Sequence, residues 1–135
     1  MAIIPDPGEL TRPYWEQARA GRLMLQHCRG CDRIWHPPLP RCPHCHRADT
    51  DWRQASGEGT VYSYTVVQHA THAAVVYQVP YVVAIVELAE GPRVVGGIRG
   101  AAPGEVRVGM PVRVVFEEVT PEVTLPQFTA VDRNR

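Results

Sequence analysis

Four thiols carry the clearest chemistry in this chain. Cys28-Arg29-Gly30-Cys31 is followed, ten residues later, by Cys42-Pro43-His44-Cys45. Two C-x2-C pairs at this separation fit a tetrahedral zinc site with sulfurs about 2.3 Å from one ion. Gly30 and Pro43 fall inside the pairs, where tight turns favour them. Four thiolates would close the coordination sphere and leave no position for a water, so the zinc would be structural. Two disulfides are the rival arrangement and call for an oxidising compartment. A C-x-x-C redox centre is a third, but it expects a strand–helix context that these residues lack. His27, His44 and His46 lie beside the cysteines. Four well-spaced thiols make them unnecessary as ligands, and they read as solvated surface residues.

Away from the cysteines little suggests catalysis. The chain has no G-x-S-x-G, Walker loop, Rossmann glycine set or H-E-x-x-H. With all four cysteines committed to metal, no thiol nucleophile remains. Glu117 and Glu118 would point to opposite faces of a strand and form no carboxylate dyad. His69 and His72 are the histidines outside the ribbon region, at the start of a connection, and read as exposed loop residues. Read alone, the chain does not look like an enzyme.

Composition sets further bounds. A length of 135 residues gives one ordinary domain or two very small ones. The 44% hydrophobic and 21% charged content supports a packed core and argues against disorder. Net charge is zero, but it is unevenly spread. Residues 22–53 hold six Arg against three Asp, hence +3, and residues 54–135 hold six Arg against eight acids, hence −2. All fourteen basic residues are Arg, with no Lys; base composition of the source genome could explain this, so no mechanism follows from it. No apolar run approaches the roughly 18 residues that a membrane span needs. Met1-Ala2-Ile3-Ile4-Pro5-Asp6 lacks the charged start and apolar length of a secretory signal, so a cytoplasmic protein is expected.

The elements that must position the thiols can be read in order. Residues 1–21 form an N-terminal segment with a short helix from Arg12 to Ala20, Thr11 at its N-cap and Pro13 in its first turn. Gly21 suits the left-handed position that ends it. Tyr14, Trp15 and Ala18 give this helix one apolar face, too short to stand alone. It packs either on its own domain or on a partner. Residues 22–55 read as a rubredoxin-like zinc ribbon. A strand over residues 23–27 enters the first pair, residues 33–36 return from it, and Trp35 covers the metal. Pro37-Pro38-Leu39-Pro40 must be a loop, and Trp52 marks a short closing strand.

Residues 56–135 change character after Ser56-Gly57-Glu58-Gly59. Strands are expected over 60–68, 81–88, 93–98, 112–119 and 124–131, with a bulge or bend at Gly96-Gly97. The run 81–88 is almost continuously apolar and looks central. Five short strands with Gly at the bends match a closed Greek-key barrel of the OB type. An immunoglobulin-like sandwich would need seven. The fold class is therefore mainly β. An OB barrel beside a zinc ribbon also invites a single-stranded nucleic-acid module. That would require a basic, aromatic-bearing groove, whereas the barrel half is net acidic. Tyr62 and Tyr64 share one strand face and are as well placed for the core as for stacking on bases.

The full set of motifs resembles one known family. Thr11-x-Pro13-Tyr14-Trp15, Gly21-Arg22-Leu23, the cysteine pairs flanking Pro37-Pro38, Trp52, the stretch Ser56-Gly57-Glu58-Gly59-Thr60-Val61-Tyr62-Ser63-Tyr64-Thr65, Pro80-Tyr81 and Leu125-Pro126-x-Phe128 together resemble the acyl-CoA-associated zinc-ribbon/OB-fold family. This was long catalogued as a domain of unknown function. The resemblance implies a small accessory subunit or fused domain working with a thiolase-superfamily protein on CoA thioesters. Three settings follow from it: a thiolase or acyltransferase complex, a thiolase-like retro-aldolase of steroid side-chain breakdown that also involves a hydratase subunit, and an archaeal complex channelling an acyl-CoA intermediate. In each, catalytic residues belong to the partner, and the domain supports that partner and its CoA channel. No catalytic residue carries over here. Arg29, Arg33 and Arg41 could offer bidentate contacts to CoA phosphates or simply be solvated. Tyr14, Trp15, His69 and His72 are candidate partner contacts, since aromatic residues and Arg dominate interface hot spots.

Overall fold

The computed structural model describes residues 8–69 and 79–131. One helix, α1 (Arg12–Arg19), precedes eight strands: β1 (Met24–Cys28), β2 (Ile34–Trp35), β3 (Thr50–Gln54), β4 (Glu58–Val67), β5 (Tyr81–Leu88), β6 (Arg93–Arg99), β7 (Pro111–Glu118) and β8 (Thr124–Ala130). α1 begins at Pro-containing Arg12-Pro13, with Thr11 at its N-cap making no side-chain cap bond. It ends as expected at Gly21, φ 80°. The Arg22 N–H bonds Gln17 O at 2.8 Å and the Gly21 N–H bonds Ala18 O at 3.0 Å. These are the two bonds of a Schellman stop.

The ribbon is a three-stranded antiparallel sheet, order β2-β1-β3. The barrel is closed in the order β4-β5-β6-β8-β7, with β7 returning to β4. All its pairs are antiparallel except β6 with β8, which run parallel at Ile98↔Phe128. The five strands fall within a residue or two of the sequence expectation. One local reading is corrected. Gly96 and Gly97 form no bulge but pair regularly with Ala84 and Val83. Gly96 is a glycine for want of space: a Cβ there would stand 2.9 Å from the Phe128 ring. The irregularity lies instead in β4, where the register shifts between Val61 and Ser63.

One core serves helix, ribbon and barrel. Tyr14, Leu23 and Leu25 from the N-terminal half are buried with Val61, Val82, Val86, Val94, Val112 and Phe128 of the barrel. The junction between the halves is tied down. Ala55 N–H bonds Leu23 O at 2.8 Å and Val114 N–H bonds Gly57 O at 2.7 Å. Gly57 has φ 87°, and the Val114 side chain occupies the place where a Cβ would stand. Only glycine satisfies both conditions.

β5 is apolar for a different reason than expected. Its burial alternates, with Val82, Ala84, Val86 and Leu88 inward. Outward-facing Ile85 pairs with Val95 of β6, and these stay 37% and 66% exposed. A strand of a closed barrel buries one face, so the apolar run leaves an uncovered patch on the outer wall.

Candidate metal centre

Each cysteine pair lies in a knuckle, and the two knuckles repeat one hydrogen-bond unit. In the first, Cys28 N–H bonds Arg33 O at 2.9 Å and Asp32 N–H bonds Cys28 O at 2.8 Å. In the second, Cys42 N–H bonds Arg47 O at 2.9 Å and His46 N–H bonds Cys42 O at 2.9 Å. Asp32 and His46, both four residues after the leading cysteine, are left-handed at φ 64° and 66°. The repeat turns two sulfurs from each knuckle toward one point. All four Sγ atoms lie within 4.8 Å of one another, Cys28–Cys45 at 3.5 Å and Cys31–Cys42 at 3.6 Å. A tetrahedron with 2.3 Å zinc–sulfur bonds has edges of about 3.8 Å. A disulfide needs about 2.05 Å, and all four cysteines are unpaired.

The electrostatics of the donor set call for a cation. Backbone N–H groups are aimed at the leading sulfurs: Cys31 N–H to Cys28 Sγ at 3.4 Å, His44 N–H to Cys42 Sγ at 3.4 Å and Cys45 N–H to Cys42 Sγ at 3.5 Å. The Cys31 N–H holds the Cys28 thiol below its ordinary range. Burial opposes ionisation of Cys42, yet the N–H groups of Cys45 and His44 outweigh it and bring that thiol down to about 6. Cys31 goes the other way. Despite a hydrogen bond from the Arg33 backbone, burial and the neighbouring sulfurs push it up to about 11. Four sulfurs this close cannot all ionise unaided, and a divalent cation removes the conflict. The residues fit one structural zinc.

Trp35 covers the site as expected. It is buried with Cys28 and Cys42, and its indole Nε1–H donates to Gln26 Oε1 at 3.0 Å. Leu39 N–H donates to the same oxygen at 2.5 Å, anchoring the proline loop.

His27 departs from expectation. It is buried at 4% exposure, its Nδ1 2.7 Å from Asp51 Oδ1 and its Nε2 2.5 Å from Asp32 Oδ1. First Asp32 and then Asp51 hold its pKa above the ordinary histidine range. Alternation along β1 could have signalled burial, but Asp51 lies 24 residues away and only the β1–β3 register brings it there.

The other site residues are placed as follows. Arg29 Nε lies 2.7 Å from Asp49, and its Nη1 3.7 Å from Asp51. Arg33 Nη1 donates to His44 Nδ1 at 3.0 Å, and Arg41 Nη1 to His46 O at 3.1 Å. Tyr14 turns inward at 8% exposure, its hydroxyl pushed up to about 12 by burial, while Trp15 packs edge-on against it and remains half-buried. His69 is exposed at a bend beyond β4, and His72 lies outside the described residues. Tyr62 and Tyr64 are exposed at 48% and 37%, not core, and Arg93 stacks over the Tyr62 ring at 3.7 Å. No helix among the described residues is long and apolar enough to cross a membrane.

A groove of about 310 Å³ joins the three parts of the chain, lined by Tyr14, Trp15, His36, Pro37, Arg93 and Val95 among others. Val95 links it to the exposed Ile85 patch. Sequence reasoning missed Ile85 and Val95; the signal for Ile85 was the near-continuous apolar run of β5, which includes outward positions and is broken only by Glu87. Burial lowers the His36 pKa to about 4, so the folded state resists its protonation. With an unfolded value near 6.5, its contribution is full above that pH and is lost as pH falls toward 4. By pH 5 this amounts to about 2 kcal/mol. Urea unfolding of wild type and His36→Gln at pH 7.5, 6 and 5 is expected to show a flatter pH dependence in the variant.

A structural metal ribbon fused to an OB barrel is thus the class that fold and site define. The ChsH2 rubredoxin-like zinc-ribbon profile matches residues 15–51, and the ChsH2 C-terminal OB-fold profile residues 52–117. The chain belongs to this DUF35 family. A "DUF35 domain-containing scaffold protein" of Methanocaldococcus jannaschii is 39% identical over 72% of this chain and 69% of its own length. The "probable enoyl-CoA hydratase alpha subunit" of Thermomonospora curvata is 47% identical over 94% of this chain. The Mycobacterium tuberculosis "3-oxo-4,17-pregnadiene-20-carboxyl-CoA hydratase alpha subunit" is 36% identical over 82% of it. The matched region spans 40% and 37% of the lengths of these two hydratase subunits. Among solved structures, a chain of an "Ltp2-ChsH2(DUF35) aldolase" superposes with TM-score 0.87 at 44% identity, covering 93% of this chain and 98% of that one. A DUF35 structure from Sulfolobus solfataricus, 16% identical with TM-score 0.65 over 92% of this chain and 87% of that one, shares the fold.

Proposed function

We propose that this chain is the non-catalytic zinc-ribbon/OB-fold subunit of a thiolase-superfamily complex acting on CoA thioesters. The reaction is retro-aldol or thiolytic carbon–carbon cleavage, with steroid side-chain degradation as the favoured setting. The observation that carries the reading is the match along nearly the whole chain to a component of an aldolase. The chemistry of this chain agrees with it: the thiols clustered at the metal site leave no nucleophilic cysteine, and no histidine–carboxylate pair lines the groove among the described residues. The partner supplies the reacting groups, and this chain is obligatory for its folding and its CoA channel. A hydratase subunit joins the same assembly, as the names of two relatives suggest for those proteins. A reducing compartment, the cytoplasm, suits the unpaired thiols.

The contact surface on this reading is Trp15 with the groove edge, the Ile85–Val95 patch and exposed His69, with His72 retained as an expected contact outside the described residues; Tyr14 underpins Trp15 from inside. Arg29, Arg33 and Arg41 are all exposed, and each guanidinium retains N–H groups for CoA phosphates. The test is to express the tagged chain with the thiolase-like protein of its source and assay cleavage of a β-hydroxyacyl-CoA. Co-purification, with cleavage only when both are present, is the expected result. Recovery of no thiolase-like protein, together with salt-sensitive binding of single-stranded DNA through exposed Tyr62 and Tyr64, would overturn it in favour of a nucleic-acid module.

A further inference from the structure

The ribbon holds more cations than acids, and the pairing pattern shows which arginines are left over. Asp32 is bonded to His27, Asp49 to Arg29, and Asp51 to His27, Arg29 and Arg53. All three ribbon acids are thereby committed. Arg22 reaches back to Gln17 Oε1 at 3.1 Å, away from the metal site. Arg33, Arg41 and Arg47 have no carboxylate partner among the described residues.

These three are carried on the two metal-site knuckles. Each flanks a knuckle: Arg33 two residues after Cys31, Arg41 directly before Cys42, Arg47 two after Cys45. Two of them cross between knuckles. Arg33 donates from the first to His44 of the second at 3.0 Å. Arg47 returns from the second to the first, its side chain lying where a Cβ on Gly30 would stand. Arg41 closes its own knuckle on His46 O at 3.1 Å.

We propose that Arg33, Arg41 and Arg47 form a counter-charge collar that retains zinc in the tetrathiolate site. Four thiolates on a divalent ion leave a formal charge of −2. Cys28 and Cys42 are buried, but Cys31 and Cys45 are half-exposed, where water and competing ligands reach them. Permanently charged guanidiniums carried on both knuckles stabilise the doubly anionic zinc–thiolate cluster against protonation of its sulfurs, the step that lets zinc leave. The excess of +3 on residues 22–53 is then largely the complement of the metal site. This role needs neither partner nor CoA, so its test is separate from that of the proposed function.

Zinc transfer from the isolated, zinc-loaded chain to a chromogenic chelator reads it directly. The triple variant Arg33→Gln/Arg41→Gln/Arg47→Gln is expected to lose zinc about tenfold faster than wild type at low salt. About 1 M salt, with its Debye length of roughly 3 Å, should narrow the gap by speeding wild type. The triple Arg→Lys variant should stay close to wild type. Cobalt-loaded samples, whose absorption reports tetrahedral thiolate ligation, confirm that each variant keeps the site. Should the triple Gln variant not fold, Arg33→Gln and Arg47→Gln alone should each accelerate transfer several-fold. Equal rates for wild type and the Gln variants would overturn the proposal. So would a Lys variant as fast as the Gln triple, because charge would then not be the agent.

Discussion

Cys42→Ser is expected to destabilise the entire chain, barrel included, by at least 3 kcal/mol, lowering Tm by about 10 °C or more. Cys42 is 1% exposed and receives two backbone N–H groups, so its loss opens a closed four-sulfur site. Binding to the native state alone adds stability that removal of the metal takes away. The effect should not stop at the ribbon. Leu23 and Leu25 are core residues of the same cluster as Val61 and Phe128, and Ala55 and Gly57 tie the halves by backbone hydrogen bonds. All three tryptophans, Trp15, Trp35 and Trp52, precede the barrel, so fluorescence follows the N-terminal half and far-UV dichroism follows mainly the barrel. The two melting curves should coincide in the zinc-loaded wild type and shift down together in Cys42→Ser or after strong chelation. A barrel melting at the wild-type temperature while tryptophan emission is already lost would show the halves to be independent.

The second large effect lies in the barrel. Phe128→Ala should cost about 3–5 kcal/mol by urea unfolding, the range for a fully buried aromatic truncated in a close-packed core. Phe128 is 1% exposed, sits at the parallel β6–β8 pairing opposite Ile98 and at the antiparallel β7–β8 pairing opposite Val114. Its ring fills the space that Gly96 leaves empty. Gly96→Ala forces a methyl against that ring and should cost about 1–3 kcal/mol. In a Phe128→Leu background the same change should cost less, because the rigid ring edge it strikes is replaced by a smaller side chain that can turn aside. Additive costs would mean that the glycine serves some purpose other than room for the ring.

Gly96 also shows why part of the fold was illegible. A Gly-Gly pair inside a strand reads as a bulge, because sequence shows the missing side chain but not the ring across the barrel that requires its absence. The actual irregularity, at Val61/Ser63, sits in an unbroken β-favouring run with no glycine to mark it. His27 illustrates the same limit for charge. Beside a cysteine, a histidine looks like a spare ligand or a solvated neighbour. Its two carboxylate partners come from a left-handed knuckle position and from a strand 24 residues on.

The metal, the ribbon and the five barrel strands were determined by sequence alone. Zinc coordination is a local demand written as C-x2-C spacing, and strand and turn preferences are written residue by residue. What only the tertiary structure decided is how charge and apolar surface are spent. Closure of the barrel turns Ile85 and Val95 outward, and the left-handed knuckle turn at Asp32 together with the β1–β3 register commits every ribbon aspartate. That pairing leaves Arg33, Arg41 and Arg47 on the two cysteine knuckles without a carboxylate partner among the described residues. Such outcomes depend on contacts between residues far apart in the chain, which no local spacing encodes.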